Sequence, residues 1–407
     1  MPKIEDIQLN IIKDSKGGDT LKAVMTTENI SACSSIPKGK SRGDKEAAVV
    51  SIEKVLMNFE KIKPKILNQS FNSLFDFDNF LIDLDQTKNK QNLGGNLTLV
   101  LSQTFARFLS LYKQKELWQT LEEEFFILNP ALEKTLTFSP PLFFFNLLNG
   151  GKHAPYGPYI QEYLIIPQTN SPQKSLSLAI EFLQNLKIHI IQNYSQCNFG
   201  DEGGVLIPSN DYEEPLKIFK EIKSKMNSEI EISFGLDVAA SSFYHKEEET
   251  YHLAPSRTLS SQELLETYLD LNKKYNLFSL EDPFEENDFE SFKNLKQKIG
   301  ERTLIIGDDL TVTNSQILNQ AAQNDAISGI IIKPTQIGTI TETLQTIGLA
   351  HRKGIKAIIS HRSAETTDDF IADLAIATRA YGLKSGSPQN PERVVKYKRV
   401  ISILNNK

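Results

Sequence analysis

In the second half of the chain, short apolar runs repeatedly end in one charged or titratable residue. The run 232–236 closes on Asp237, 277–280 on Glu281 and 304–307 on Asp308. Likewise 329–332 closes on Lys333, 357–360 on His361 and 382–383 on Lys384. From Glu281 onward the intervals are 27, 25, 28 and 23 residues, about one strand plus one helix each. This rhythm predicts a (β/α) barrel, in which polar residues at the C-terminal strand ends converge on one open mouth. Three carboxylates, two lysines and a histidine at such positions point to a metal site facing a base.

The first part of the chain is ordered differently. Strand-like runs at 4–12, 21–27 and 30–36 are separated by turn chemistry such as Asp14-Ser15-Lys16-Gly17-Gly18-Asp19. Helical periodicity follows at 45–59, 74–84 and 97–126. Strands followed by helices, without alternation, read as a small α+β domain. Pro140-Pro141 marks the boundary, and beyond it strand-like runs alternate with helical stretches such as 262–274 and 341–351. At 407 residues the chain is too long for one ordinary core. The expected class is α/β, with a smaller N-terminal α+β domain over residues 1–138 and a (β/α)8-like barrel over 139–407.

Composition narrows the function classes. Apolar content of 40% and charged content of 24% suit a soluble globular protein. The net charge of −6 offers no broad attraction to nucleic acid or acidic membranes. Cys33 and Cys197 leave one bridge open, but two cysteines make no disulfide framework and suit a reducing compartment. The start, Met1-Pro2-Lys3-Ile4-Glu5-Asp6, has no apolar signal core, and no apolar stretch reaches the ~20 residues of a membrane span. The expected location is the cytoplasm, with no nucleic-acid or membrane partner.

Several short motifs carry chemistry. Asn149-Gly150-Gly151-Lys152-His153 and then Gln161-Glu162 follow a strongly apolar run. Glycines at a strand end allow a sharp turn and close approach of a ligand, although an ordinary hairpin with a polar edge fits as well. Gly200-Asp201-Glu202-Gly203-Gly204 reads as a solvated turn, or as a tight loop whose burial raises a carboxyl pKa for use as a general acid. Asp237, Glu281 and Asp308 are helix caps or oxygen ligands for Mg²⁺, which commonly takes one or two carboxylates with water and substrate oxygens. Lys333, between Ile332 and Pro334, would be a snorkelling strand terminus if isolated. Beside cations in a dry pocket its pKa would fall from about 10.4 toward working pH, making it a base. His361-Arg362-Ser363 joins a titratable ring, a guanidinium and a hydroxyl, a combination suited to phosphate. His189, His245, His252 and His351 read as structural. Lys38-Gly39-Lys40-Ser41-Arg42-Gly43 is a solvated basic turn, or a lid carrying charge and a hydroxyl over an anionic substrate.

Taken in order, these pieces resemble the enolases nearly end to end. The resemblance is carried by Leu148-Asn149-Gly150-Gly151, Gly200-Asp201-Glu202-Gly203-Gly204, Glu281-Asp282-Pro283 and Gly307-Asp308-Asp309-Leu310. Ile332-Lys333-Pro334, Gln336-Ile337-Gly338-Thr339 and Ser360-His361-Arg362-Ser363 extend it. In the first part it rests on Leu84-Asp85-Gln86-Thr87 through Leu93-Gly94-Gly95-Asn96. It implies an enolase-type barrel capped by the N-terminal domain, with a mobile loop at 37–43. It also implies reversible dehydration of 2-phosphoglycerate to phosphoenolpyruvate through a metal-stabilised ene-diolate. Lys333 would be the base and Glu202, assisted by Glu162, the acid. Asp237, Glu281 and Asp308 would hold one Mg²⁺, and Ser41 would complete a second. Arg362 and Ser363 would take the phosphate, while His153, Gln161, His361 and Lys384 would line the pocket. A homodimer or larger assembly is implied too.

The match also departs from the family. Lys38-Gly39-Lys40-Ser41-Arg42-Gly43 stands where enolases have Ser-Gly-Ala-Ser-Thr-Gly. Lys16 replaces an arginine, Lys152 a small residue, Thr335 an asparagine and Ala364 a glycine. Ser387-Pro388-Gln389-Asn390 lacks an expected arginine. The altered first domain keeps a degenerate enolase, retained as a non-catalytic binding or scaffold protein, in view. A superfamily dehydratase acting on a non-phosphorylated acid sugar is a further alternative, against which the intact Arg362-Ser363 argues.

Overall fold

The computed structural model describes residues 3–39 and 45–406, so Ser41 and its neighbours Lys40, Arg42 and Gly43 lie outside the described residues. The chain opens with β1 (Asp6–Lys13), β2 (Asp19–Thr26) and β3 (Ser31–Ser35), an antiparallel sheet in that order. The β1–β2 turn is tied by Asp14, whose Oδ1 accepts the backbone N–H of Lys16 (2.8 Å) and Gly18 (2.9 Å). Four helices follow: α1 (Ile52–Leu67), α2 (Leu74–Asp85), α3 (Gly95–Tyr112) and α4 (Leu117–Leu128). The helix expected from residue 45 begins only at Ile52, where Ser51 caps it by accepting from the Lys54 N–H. Residues 45–50 stay out of the helix because their backbone is used elsewhere. Ala47 N–H donates to Gln336 O and Ala48 N–H to Asn89 O, each at 2.8 Å. The single helical stretch expected over 97–126 is two helices, parted where Gln114 takes φ +54° and Glu116 opens a capping box.

The barrel begins with β4 (Leu142–Asn149), β5 (Glu162–Pro167) and β6 (Ile232–Asp237). A small antiparallel sheet, β7 (Tyr244–His245), β8 (Thr250–Ala254) and β9 (Arg257–Leu259), projects from it and has no counterpart among the elements expected from the sequence. The closure is made by β10 (Ser279–Glu281), β11 (Leu304–Gly307), β12 (Gly329–Ile332), β13 (Lys356–Ser360) and β14 (Gly382–Lys384). Seven strands run parallel, but β5 is antiparallel to both β4 and β6. A strict alternation is therefore corrected at its start: β4 returns as β5 through the loop 150–161, without a crossover helix. An antiparallel partner needs only a loop, whereas a parallel one needs a long crossover. The inside of the barrel is filled by Phe144, Leu164, Ile166, Ile306, Ile331 and Ile358. A bulge in β4 between Asn146 and Leu148 re-aims the end of that strand at the mouth.

The N-terminal part is clasped to that mouth. Lys38 and Ala364 exchange backbone hydrogen bonds of 2.8 and 3.1 Å, and Ser15 N–H donates to Glu365 O at 2.8 Å. Arg107 of α3 reaches Asp368 and Asp369 at 2.8 Å each. Among the described residues no helix is long and apolar enough to cross a membrane.

Candidate active site

The strand ends bring most of the singled-out groups to one cavity at the barrel mouth. Register explains the first cluster: Asp237 lies opposite Glu162 on one side and Glu281 on the other. Lys384, ending β14, points among all three. Its Nζ is 2.9 Å from Asp237 Oδ2 and 2.9 and 2.8 Å from the Glu281 oxygens. Glu162 Oε2 is 3.2 Å away, an ion-pair contact without hydrogen-bond alignment. Burial opposes the Lys384 ammonium, but Asp237, Glu162 and Glu281 outweigh it and hold the pKa well above the lysine range. Gln161 donates to Asp237 Oδ2 at 3.4 Å.

A second ion pair joins Lys333 to Asp308, and Gln336 donates to the other Asp308 oxygen at 3.1 Å. Burial works against the Lys333 ammonium, yet Asp308 outweighs it and raises the pKa. The fall expected from the sequence does not follow from the chain's own groups. That expectation counted neighbouring cations, whereas the side chain beside Lys333 is an anion. Asp282, at φ +41°, braces this corner by accepting the backbone N–H of Asp308 (2.8 Å) and Asp309 (2.7 Å).

Glu202 stands opposite, its Oε1 3.4 Å from His153 Nδ1 and its Oε2 3.4 Å from His361 Nε2. Asn146, re-aimed by the bulge, donates to Oε2 at 3.2 Å. Ligand atoms of Glu162 and Glu202 approach within 4.8 Å. Two buried carboxylates this close do not share one ionisation state. Burial and the charge of Glu202 push the Glu162 pKa well up. For Glu202 burial is outweighed by His361, His153 and Arg393, which hold its pKa well below the usual range. The rise expected for Glu202 thus falls on Glu162, because the imidazoles face Glu202. His361 is held well below the usual histidine pKa by burial, which Glu202 opposes and Arg393 reinforces.

Arg362 lies under the clasp. It donates to Glu46 Oε2 (3.1 Å) and Thr335 Oγ1 (2.8 Å), and Gly39 packs so closely that a Cβ there would sit 1.9 Å from Nη2. Ser363 is buried beside it.

The donor set suits a hard divalent cation. Asp237, Glu281 and Asp308 are buried carboxylates whose crowding is offset by Lys333 and Lys384, and their oxygens are of the kind such a cation takes. Among the described residues, ligand atoms of Asp282, Asp308 and Asp309 lie within 4.8 Å of one another, as do those of His153, Glu162 and Glu202. The expected trio is not itself such a group, since Lys384 draws Asp237 and Glu281 while Lys333 draws Asp308. The Asp309 pKa is pushed up to about 7 by burial and Asp308.

Residues 4–121 match the family model described as enolase, N-terminal domain, and residues 137–406 match enolase, C-terminal TIM barrel domain. The chain belongs to the enolase family. It is 34% identical to an enolase of Metallosphaera sedula over 412 residues, covering 99% of this chain and 96% of that relative. An enolase of Saccharolobus solfataricus is 35% identical over 414 residues, with the same coverage of 99% and 96%. Enolase membership makes the chain a lyase-family TIM-barrel protein and implies a divalent metal.

For an enolase-family chain, the groups that sequence reasoning passes over are informative. Glu46 falls in a stretch expected to be helical, and only the clasp shows it against Arg362. Arg393 and Lys396 stand out in no sequence motif, although both are buried, on the last helix (Pro391–Asn405). Their signal is present all the same: two cations fall on the face that also carries Tyr397, Val400 and Ile403. Lys16, expected as an arginine, reaches Asp201 Oδ2 at 2.6 Å. Both cysteines are free, His351 Nε2 meets Thr378 O at 2.8 Å, and the His245 and His252 rings stack on each other.

Proposed function

We propose that the chain catalyses reversible dehydration of 2-phosphoglycerate to phosphoenolpyruvate with Mg²⁺ in the cytoplasm, residues 1–138 capping a barrel formed by 139–407. The observation that carries this reading is the opposition, across one mouth, of the Lys333–Asp308 pair and the Glu162–Glu202 pair. A dehydration needs a group that moves the C2 proton and another that helps the C3 hydroxyl leave as water. Lys333 takes the first role. Paired with Asp308 it rests as an ammonium, the form that delivers a proton to C2 in the hydration direction. Dehydration needs its amine free of that pair. The carboxyl pair takes the second role, with Glu162 the member that burial and Glu202 drive toward its protonated form and with His153 and His361 fixing Glu202. Arg362 and Ser363 anchor the phosphate, and Gln161 and Lys384 orient the acids beneath the substrate carboxylate.

Asp237, Glu281 and Asp308 would hold the cation, with Ser41 serving a second one. Such an ion supplies several kcal/mol of charge stabilisation as negative charge builds beside an already ionised carboxylate. Acid–base chemistry alone contributes roughly 10²–10⁴-fold.

Purified protein with Mg²⁺ should convert 2-phosphoglycerate into a product with the ultraviolet absorbance of an enol phosphate. Lys333→Ala should lose at least about 10²-fold of that rate while keeping the wild-type circular dichroism. A fully active variant would remove Lys333 from its role, and an inert, Mg²⁺-binding wild type would favour a scaffold.

A further inference from the structure

We propose that Arg393 is a positioning residue that locks His361 in the tautomer protonated on Nε2, making the ring a hydrogen-bond donor toward Glu202 and not a proton acceptor. The guanidinium is fully buried. Its Nη1 contacts His361 Nδ1 and donates to Arg362 O at 2.7 Å, while Nη2 donates to Ser363 O at 2.8 Å. Its Nε lies 3.7 Å from Glu392 Oε1.

A guanidinium has donors only and keeps its proton in proteins. The imidazole nitrogen facing it must therefore present a lone pair, which leaves the ring hydrogen on Nε2. That nitrogen is the one 3.4 Å from Glu202 Oε2. Turning the ring over would set a C–H against the guanidinium and forfeit the bond. Gly386 leaves the room this needs, since a Cβ there would lie 3.1 Å from both Arg393 Cδ and His361 Cε1. One side chain thus sets the histidine tautomer and also the carbonyls of Arg362 and Ser363. Its mechanistic meaning rests on the proposed dehydration: His361 is excluded as the C2 base, which leaves Lys333.

The test is ¹⁵N NMR of the full-length, Mg²⁺-loaded protein labelled at histidine, with the His361 signals assigned through His361→Asn. Wild type should show a protonated Nε2 and an unprotonated Nδ1 at neutral pH. Arg393→Lys should keep that pattern, because an ammonium also only donates, whereas Arg393→Met should bring in the Nδ1-protonated form. In the 2-phosphoglycerate assay Arg393→Met should lose about 10–100-fold, the scale seen when the orienting partner of a metal-bound histidine is removed, with partial recovery in Arg393→Lys. An imidazolium or an Nδ1-protonated ring in wild type would overturn the proposal, and so would an unchanged tautomer in folded Arg393→Met. Should the variant not fold, the wild-type spectrum alone decides. The spectrum needs no substrate, so an inert wild type would count against the dehydration and leave the tautomer result standing.

Discussion

Lys384 sits where three buried carboxylates would otherwise face one another. Deleting one partner of a buried ion pair costs about 3–5 kcal/mol, because the remaining charge is left uncompensated. Lys384→Met should therefore lower the stability read from urea unfolding by that amount in Mg²⁺-free buffer, with Asp237 and Glu281 stranded. Mg²⁺ should return part of the loss, since a ligand of the native state at a hundredfold excess over its Kd adds about 2.7 kcal/mol. An unchanged midpoint would show that the three acids relieve themselves by protonation. At this scale Asp237, Glu281, Asp308, Lys333 and Lys384 are legible because each ends an apolar run. Their pairings are not. A sequence places Lys333 and Asp308 at neighbouring strand ends but cannot say that they bond, so the direction expected for the Lys333 pKa rests on assumed cations. Glu202 is legible as a carboxyl on a tight loop, yet the two imidazoles that keep it ionised come from other elements.

The element that most needs the structure is β5. Its residues are buried throughout, so no period-two alternation betrays a direction, and a central parallel strand would look the same. What decides is the loop 150–161, which holds no helix long enough for a crossover. That reversal delivers Gln161 and Glu162 to the mouth from the beginning of a strand, while their partners arrive at strand ends. The hairpin expected as one reading of this motif is present, and it is the hairpin that carries both side chains to the cavity. Gly150 makes the turn possible: a Cβ there would lie 2.3 Å from Pro158 O and 2.4 Å from Ile160 O, both backbone atoms that cannot swing aside. Gly150→Ala should destabilise by about 1–3 kcal/mol, as overpacking does, and should displace His153 and Glu162 enough to depress turnover. Gly354→Ala is the control. Its φ of +69° makes it strained, by about 1–2 kcal/mol, but nothing lies within 4 Å and it is distant from the mouth. Equal activity per folded molecule in both variants would show that the loop tolerates the displacement.

Across the whole molecule, the division into an α+β part and a barrel is legible from the order of strands and helices, but the surface joining them is not. Apolar helix faces look alike whether they meet their own domain or the next. Asp78 of α2 illustrates this. It is fully buried, with Oδ2 accepting the Thr341 N–H at 2.8 Å on the helix Ile340–Arg352 of the barrel, and Oδ1 without a partner. Glu342 on that helix adds a like charge, itself paired with Lys90, while the neighbouring Ser102 and Thr341 favour the ionised form. Burial pushes the Asp78 pKa up to about 7. Because the folded value lies above the ordinary carboxyl value, the folded state binds the extra proton. Stability should therefore fall as pH rises from about 4 toward 7, by about 1.4 kcal/mol for each pH unit, and stay lower above that range. Asparagine mimics the protonated acid. Asp78→Asn should be more stable than wild type at pH 8 by a few kcal/mol and close to it at pH 4.5, measured by urea unfolding. Other groups that titrate in this window, Asp309 among them, are common to both proteins and cancel in the difference. Parallel pH profiles for the two proteins would mean that Asp78 is ionised in the joined molecule, with its charge met by the start of the helix it faces.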